Sequence, residues 1–338
     1  MIDYRSDTFT RPSPGMLQAM LQAETGDDVF GEDPSVNKLE AMMADYFGKP
    51  AALYCPSGTM SNQIAIKVHT LPGDEVVCSN LAHVYIYEGG GIAFNAGAQV
   101  HPIEGDRGMI TAGQVKAAIN PDDVHKARTS LVCLENTSNR GGGCCYDWDE
   151  MVTIGALCQE HNLAFHLDGA RLFNALVATG QDPKAYGQLF DSISVCLNKG
   201  MGCPMGSVLL GNKEFIRTAR RIRKKFGGGL RQAGYMAATG IYAMENNIQR
   251  LEEDHTHAKQ IALALLEKTF VGHMLPVETN ILIFEIRGEW TPQLFTEYMK
   301  QQNIAVIPIS STQVRMVVHL DITPEMVETT CNVIAEMI

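Results

Sequence analysis

Short apolar runs alternate with amphipathic stretches along most of the chain. Residues 51–55 (AALYC) are an apolar run ending in a Pro-Ser-Gly turn, and 61–69 has helical composition. Residues 75–79 (EVVCS) read as a strand leading into a Tyr/Gly-rich stretch, and 99–103 is a second short strand. Thr111 is placed to cap a helix over 111–120, with Gln114 at the capping-box position. The run 130–135 (SLVCLE) predicts a buried strand. Asp147 caps a helix reaching 161, and 163–167 is a strand ending at Asp168. A strand at 192–197 leads to Asn198-Lys199, another covers 207–210, and 213–226 reads as a basic helix.

This alternation predicts an α/β domain around a mostly parallel sheet. Ligands of such sheets bind beyond the carboxyl ends of the strands, so polar residues just after strands are the ones to interrogate. From 232 to 268 the pattern is helical, with a break near Asn246-Asn247. Strands at 280–286, 304–307 and 314–318 then interleave with helices at 291–301 and 323–338. The expectation is a large domain over 1–247 and a small C-terminal α+β domain over 248–338. The N-terminal segment 1–14 is a candidate to pack on the small one.

Composition narrows the classes. The chain has 338 residues, 45% hydrophobic and 19% charged, which suits a folded protein rather than a disordered one. Its net charge of −11 disfavours generic binding to nucleic acid or an anionic membrane, and neither partner is expected. The cysteine count is nine, odd and without a CxxC pair, so no zinc ribbon is expected; no ligand cluster points to a metal site, and a cation requirement stays open. Free thiols in apolar runs fit a reducing compartment. The opening MIDYRSDTFTRP has no apolar core, and no window approaches the length of a membrane span. A cytoplasmic protein is expected.

Lys199 follows an apolar strand in the Gly-rich run LNKGMGCPMG. It reads either as a Schiff-base lysine or as an exposed loop lysine. Asp168 ends a strand in HLDGAR, where a buried carboxylate needs a partner. A protonated pyridine nitrogen is one such partner; a helix N-terminus is the plainer one. Arg171 lies on the same side as Asp168 if the segment turns helically, and either grips a carboxylate or pairs with Asp168. Ser57, Gly58 and Thr59 open a helix after a strand, as an anion site or a simple cap; they match neither a P-loop nor GxGxxG. His83 follows a strand and stacks on an aromatic cofactor or is structural. The basic run 220–225, then three glycines and Arg231, is a solvated helix face or an anion site.

Taken in order, RSDTFTRPSPGM, GDDVFGEDPSVNKLE, PSGTMSNQIAI, AHVYIYEGGG, LENTSN, HLDGARLFNA, CLNKGMGCPMGSVLLG and RIRKKFGGGLRQAG resemble the L-threonine aldolase family of fold-type I pyridoxal-phosphate enzymes. The resemblance extends over nearly the whole chain. It implies an aspartate-aminotransferase-like large domain and cleavage of L-threonine or L-allo-threonine to glycine and an aldehyde. It implies that Lys199 carries pyridoxal 5'-phosphate as an internal aldimine and that Asp168 pairs with the pyridinium nitrogen. Ser57, Gly58 and Thr59 would hold the phosphate, and His83 would stack over the ring. Ser6, Arg171 and Arg315 would bind the substrate carboxylate, with Arg171 also counted among the cofactor residues. His125 matches a family histidine near the substrate hydroxyl, so His83, His125 or a water is the candidate base. Lys224 and Arg231 would serve the phosphate region from a neighbouring subunit, in a homo-oligomer with shared active sites, a dimer or tetramer. Two departures, Ser138 in LENTSN and Phe30 in GDDVFGEDP, leave the preference for the β-substituent open. Other fold-type I lyases, aminotransferases and a non-catalytic binding protein are the alternatives.

Overall fold

The computed structural model describes residues 1–337. In chain order its strands are β1 (Ile2–Asp3), β2 (Ala51–Cys55), β3 (Glu75–Ser79), β4 (Gln99–Ile103), β5 (Thr129–Glu135), β6 (Ala164–Gly169), β7 (Ser192–Cys196), β8 (Ser207–Gly211), β9 (Val271–Met274), β10 (Ile281–Ile286), β11 (Ile304–Ala305), β12 (Ile307–Pro308) and β13 (Gln313–Val317). Seven of them form the central sheet in the order β2-β8-β7-β6-β5-β3-β4. Only β8 runs against the rest, pairing antiparallel with both β2 and β7. The sheet is therefore mostly parallel, and the fold is α/β. Every residue of β3, β5 and β7 is buried, as expected of strands covered by helices on both faces.

The parallel direction has one consequence for chemistry. The chain leaves β2 at Cys55, β3 at Ser79, β5 at Glu135, β6 at Gly169 and β7 at Cys196 along a single edge. Register fixes the spacing there: Glu135 lies opposite Asp168, and Asp168 opposite Ser194.

A four-stranded antiparallel sheet, β12-β13-β10-β9, carries a second core with the helices Leu251–Leu266, Pro292–Gln301 and Pro324–Glu336. The first residues of the chain belong to this core. β1 pairs in parallel with β11, Tyr4 is fully buried there, and its hydroxyl lies 2.9 Å from Thr330 Oγ1.

Several elements differ from the sequence expectation. The helix predicted from 61 begins at Gly58, because Ser57 Oγ accepts the Met60 N–H. The strand placed at 163–167 extends to Gly169, so Asp168 lies within it. The run 304–307 splits into β11 and β12, which pair with different partners. The helices Pro14–Leu21 and Pro34–Tyr46 had no predicted counterpart, although each has proline in its first turn and a side-chain cap, from Ser13 and Asp33. The last predicted helix ends at Glu336, and residue 338 lies outside the described residues. No helix among the described residues is long and apolar enough to cross a membrane.

Candidate active site

Ser57, Gly58 and Thr59 from the end of β2, His83 from beyond β3, Asp168 from β6 and Lys199 from beyond β7 line one cavity of about 160 Å³. Asn62, Ala170, Cys196 and Asn198 complete its wall. The twelve-residue helix Gly58–His69 presents its first turn to this space, so its unpaired N–H groups favour an anion there. The approach is close: a Cβ on Gly58 would meet Cys196 Sγ at 2.5 Å. Lys199 Nζ lies 3.8 Å from the same sulfur.

Asp168 is 2% exposed and makes two hydrogen bonds. Oδ1 accepts the Ala170 N–H at 3.0 Å, and Oδ2 accepts Asn62 Nδ2 at 2.9 Å. Asn62 also donates to Glu88 Oε1 at 3.0 Å, and Glu88 faces His83 Nδ1 at 3.0 Å. The backbone N–H of His83 donates to Glu135 Oε2 at 2.7 Å. Burial, and then the charge of Asp168, push the Glu135 carboxyl above its ordinary range. His83, Glu88 and Asp168 each place one possible ligand atom within 4.8 Å of the others, in a cluster already bound by hydrogen bonds.

A second group lies beside the cavity. Arg171 is buried and makes a bidentate pair with Asp7, Nε to Oδ2 at 2.7 Å and Nη2 to Oδ1 at 2.8 Å. This corrects the expectation that Arg171 turns onto the side of Asp168. Asp168 stays in β6 while Arg171 sits at the N-terminus of the helix Leu172–Thr179. Burial opposes ionisation of Asp7, but Arg171 outweighs it, with Lys199 helping, and its pKa falls to about 2. Ser6 Oγ lies 3.5 Å from Asp7 Oδ1 and accepts from Thr8. Arg315, on β13, donates to Asn139 Oδ1 at 3.0 Å and to the Arg5 carbonyl at 3.2 Å, while its buried Nε has no partner. Burial first, then Arg171, lower its pKa.

The chain does not bring His125, Lys224 or Arg231 into its own cavity. His125 is on the loop before β5, at the opposite end of that strand from Glu135, with its side chain 86% exposed and bonded to Asp123. Lys224 lines a separate basic groove with Arg217, Arg220 and Arg221, and Arg231 pairs with Asp27 at 2.9 Å. Ser138 is buried against the Arg107 carbonyl, and Phe30 is 73% exposed; neither lines the cavity.

Asn62, Glu88, Cys196 and Asp7 escaped the sequence reading. A signal existed for the first: Ser61, Asn62 and Gln63 are three consecutive polar residues, all buried, directly before the apolar run Ile64, Ala65 and Ile66. Buried polar groups require partners, and here the partners are the site.

Residues 3–288 match the model of the beta-eliminating lyase family. The chain belongs to that family. Within it, the chain is 44% identical to the low specificity L-threonine aldolase of Escherichia coli strain K12, over 96% of each chain. It is 39% identical to the probable low-specificity L-threonine aldolase 2 of Arabidopsis thaliana, over 97% of this chain and 94% of that one. The structure of Leishmania major threonine aldolase superposes with a TM-score of 0.86 at 20% identity, over 99% of this chain and 98% of that one. The fold is that of the fold-type I enzymes, as the sequence resemblance implied.

The donor set of this chain fits pyridoxal phosphate. A lysine amine, a buried carboxylate at a strand end and the exposed N–H groups of a helix share one small cavity. They match an aldehyde, a basic ring nitrogen and a phosphate in turn.

Proposed function

We propose that this protein cleaves L-threonine, L-allo-threonine and related L-β-hydroxy-α-amino acids to glycine and an aldehyde, with pyridoxal phosphate as cofactor. The observation that carries the reading is Lys199 and Asp168 in one cavity, near two guanidinium groups, one buried and one half-buried. The names of the relatives support the substrate class.

Lys199 would hold the cofactor's aldehyde carbon, Asp168 its ring nitrogen, and Ser57, Gly58 and Thr59 its phosphate, with His83 over the ring. When bound, the cofactor supplies a sink for the electron pair released at Cα. Arg315 takes the substrate carboxylate with its unpaired Nε. Arg171 joins through Nη1, which its pair with Asp7 leaves outside, and Ser6 lies alongside. Fixing the carboxylate fixes which Cα bond is presented for cleavage. His83 takes the proton of the β-hydroxyl, directly or through water. Asn62 and the Ala170 N–H keep Asp168 in place. Two domains, 1–247 and 248–338, are part of this reading, because a carboxylate between Arg171 and Arg315 draws them together.

A homo-oligomer belongs to the proposal as well. His125, Lys224 and Arg231 lie outside the cavity of their own chain, so the roles implied by resemblance require a neighbour's site. Nine free thiols support a cytoplasmic location.

The test supplies cofactor-loaded protein with L-threonine and L-allo-threonine separately. Equimolar acetaldehyde and glycine are expected, and Lys199→Ala abolishes both. 2-Oxobutyrate and ammonia in their place would move the assignment to β-elimination.

A further inference from the structure

Glu88 is a buried carboxylate that the reaction scheme above leaves without a task. Its side chain is fully shielded from solvent, and three nitrogen groups surround it. Gln63 Nε2 donates to Oε2 at 2.6 Å, Asn62 Nδ2 donates to Oε1 at 3.0 Å, and His83 Nδ1 lies 3.0 Å from Oε1.

The orientation of both amides is fixed by their neighbours. Asn95 Nδ2 donates to Gln63 Oε1 at 3.2 Å, which leaves the Gln63 NH₂ for Glu88. Asn62 faces two carboxylates from the same end of its amide, Glu88 at 3.0 Å and Asp168 at 2.9 Å, and only its NH₂ group, not its oxygen, can bond to both. Glu88 is thus an acceptor on both oxygens, and the remaining contact, with His83 Nδ1, requires an N–H there.

We propose that Glu88 is a positioning residue for His83. Its carboxylate holds the ring proton on Nδ1, leaves Nε2 as the free acceptor in the cavity, and is tied through Asn62 to the carboxylate of Asp168. This rests on the proposed aldolase reading, in which His83 moves the proton of the β-hydroxyl. The logic is that of any imidazole base: the hydrogen bond on one nitrogen decides what the other does. His83 is also pinned at its backbone by Glu135, so the ring has one seat. Among the described residues, Nε2 has no protein hydrogen bond.

The charged and titratable groups around the ring act together. Glu88 and Tyr87 come from its own segment, Glu135 from β5, Asp168 from β6 and Lys199 from beyond β7. Burial lowers the pKa of His83, but the bond to Glu88 and the charges of Asp168 and Glu88 outweigh it, and the net direction is upward.

The experiment measures the imidazole tautomer of His83 by nitrogen NMR of the ¹⁵N-histidine-labelled holoenzyme, with His83→Asn to assign the signal. The expected neutral form is Nδ1–H; a dominant Nε2–H form overturns the proposal without any variant. In Glu88→Gln, the pKa of His83 is expected to fall by about one unit or more. The acid limb of the kcat profile should move with it, and kcat should drop about 10- to 100-fold. KM should change little. Lower thermal stability with the His83 titration and the pH profile unchanged would make Glu88 a packing residue only. A wrong tautomer in an active aldolase removes this proposal alone, whereas an Nδ1–H tautomer in a protein that does not cleave threonine removes only the reaction.

Discussion

Arg315 is a half-buried cation with too few anions around it. Its two fixed contacts, Asn139 Oδ1 and the Arg5 carbonyl, are neutral acceptors, and its Nε is buried without a partner. Arg171 adds like charge, while the nearby Asp7 is already committed to Arg171. An arriving carboxylate relieves both the repulsion and the orphaned N–H, which is a strong reason for an anionic group to bind there. Arg315→Ala is therefore expected to raise KM for the amino acid by tenfold or more, since a hydrogen bond to a charged group contributes about 1.5–3 kcal/mol. Its effect on kcat should be smaller. Initial-rate kinetics check this, and an unchanged KM would remove Arg315 from the substrate site. Lysine should not restore the wild-type value, because a point charge cannot reproduce a planar fork.

The helix Gly58–His69 shows what the sequence made visible and what it hid. Ser57, Gly58 and Thr59 were legible as the opening of a helix, an anion site or a simple cap, because a local rule governs helix N-termini. Asp168 and Lys199 drew attention because ligands of parallel sheets bind beyond the strand ends. Asn62 was hidden: its meaning depends on Glu88 and Asp168, 26 and 106 residues away. The Asp7–Arg171 pair was hidden for the same reason, spanning 164 residues. Short-range pattern reports elements and their ends, whereas long-range polar pairing needs the assembled sheet. The same helix yields a test. In Gly58→Ala the new methyl would meet Cys196 Sγ at 2.5 Å, so the thiol, the helix start or both must shift within the wall of the cavity. Cofactor affinity should fall by at least tenfold, measured by equilibrium dialysis. Adding Cys196→Ala should restore most of it. No recovery in the double variant would place the damage in the backbone of the helix start.

Across the chain, several histidines are held neutral. Burial lowers the pKa of His69 to about 4, of His166 to about 3 and of His255 to about 4. A group whose folded pKa lies below its unfolded value contributes stability above the unfolded pKa, here near 6.5, and loses it as the pH falls toward the folded value. Thermal stability should therefore drop steadily from pH 7 to pH 5, by about 2 kcal/mol per histidine at pH 5. Asp7 acts lower, between its unfolded value of 3.8 and its folded value of about 2. Melting curves at constant ionic strength check the window. A flat Tm between pH 7 and 5 would contradict the buried neutral state of these rings.

The pairing of β1 with β11 sets a schedule for the growing polypeptide. Tyr4 finds its hydroxyl partner only 326 residues later, at Thr330. At roughly 5–20 residues per second, that interval lasts tens of seconds on the ribosome. Through it, Asp7 reaches its partner Arg171 about midway, whereas the strand just before it stays unpaired until β11 emerges. β1 is thus secured only after β11 has been made, and Arg315, proposed above to take the substrate carboxylate, follows shortly after β11. A nascent chain stalled short of β11 would hold the cavity of Lys199 and Asp168 but lack half of the proposed carboxylate grip. A newborn molecule would therefore be ready for its cofactor before its substrate.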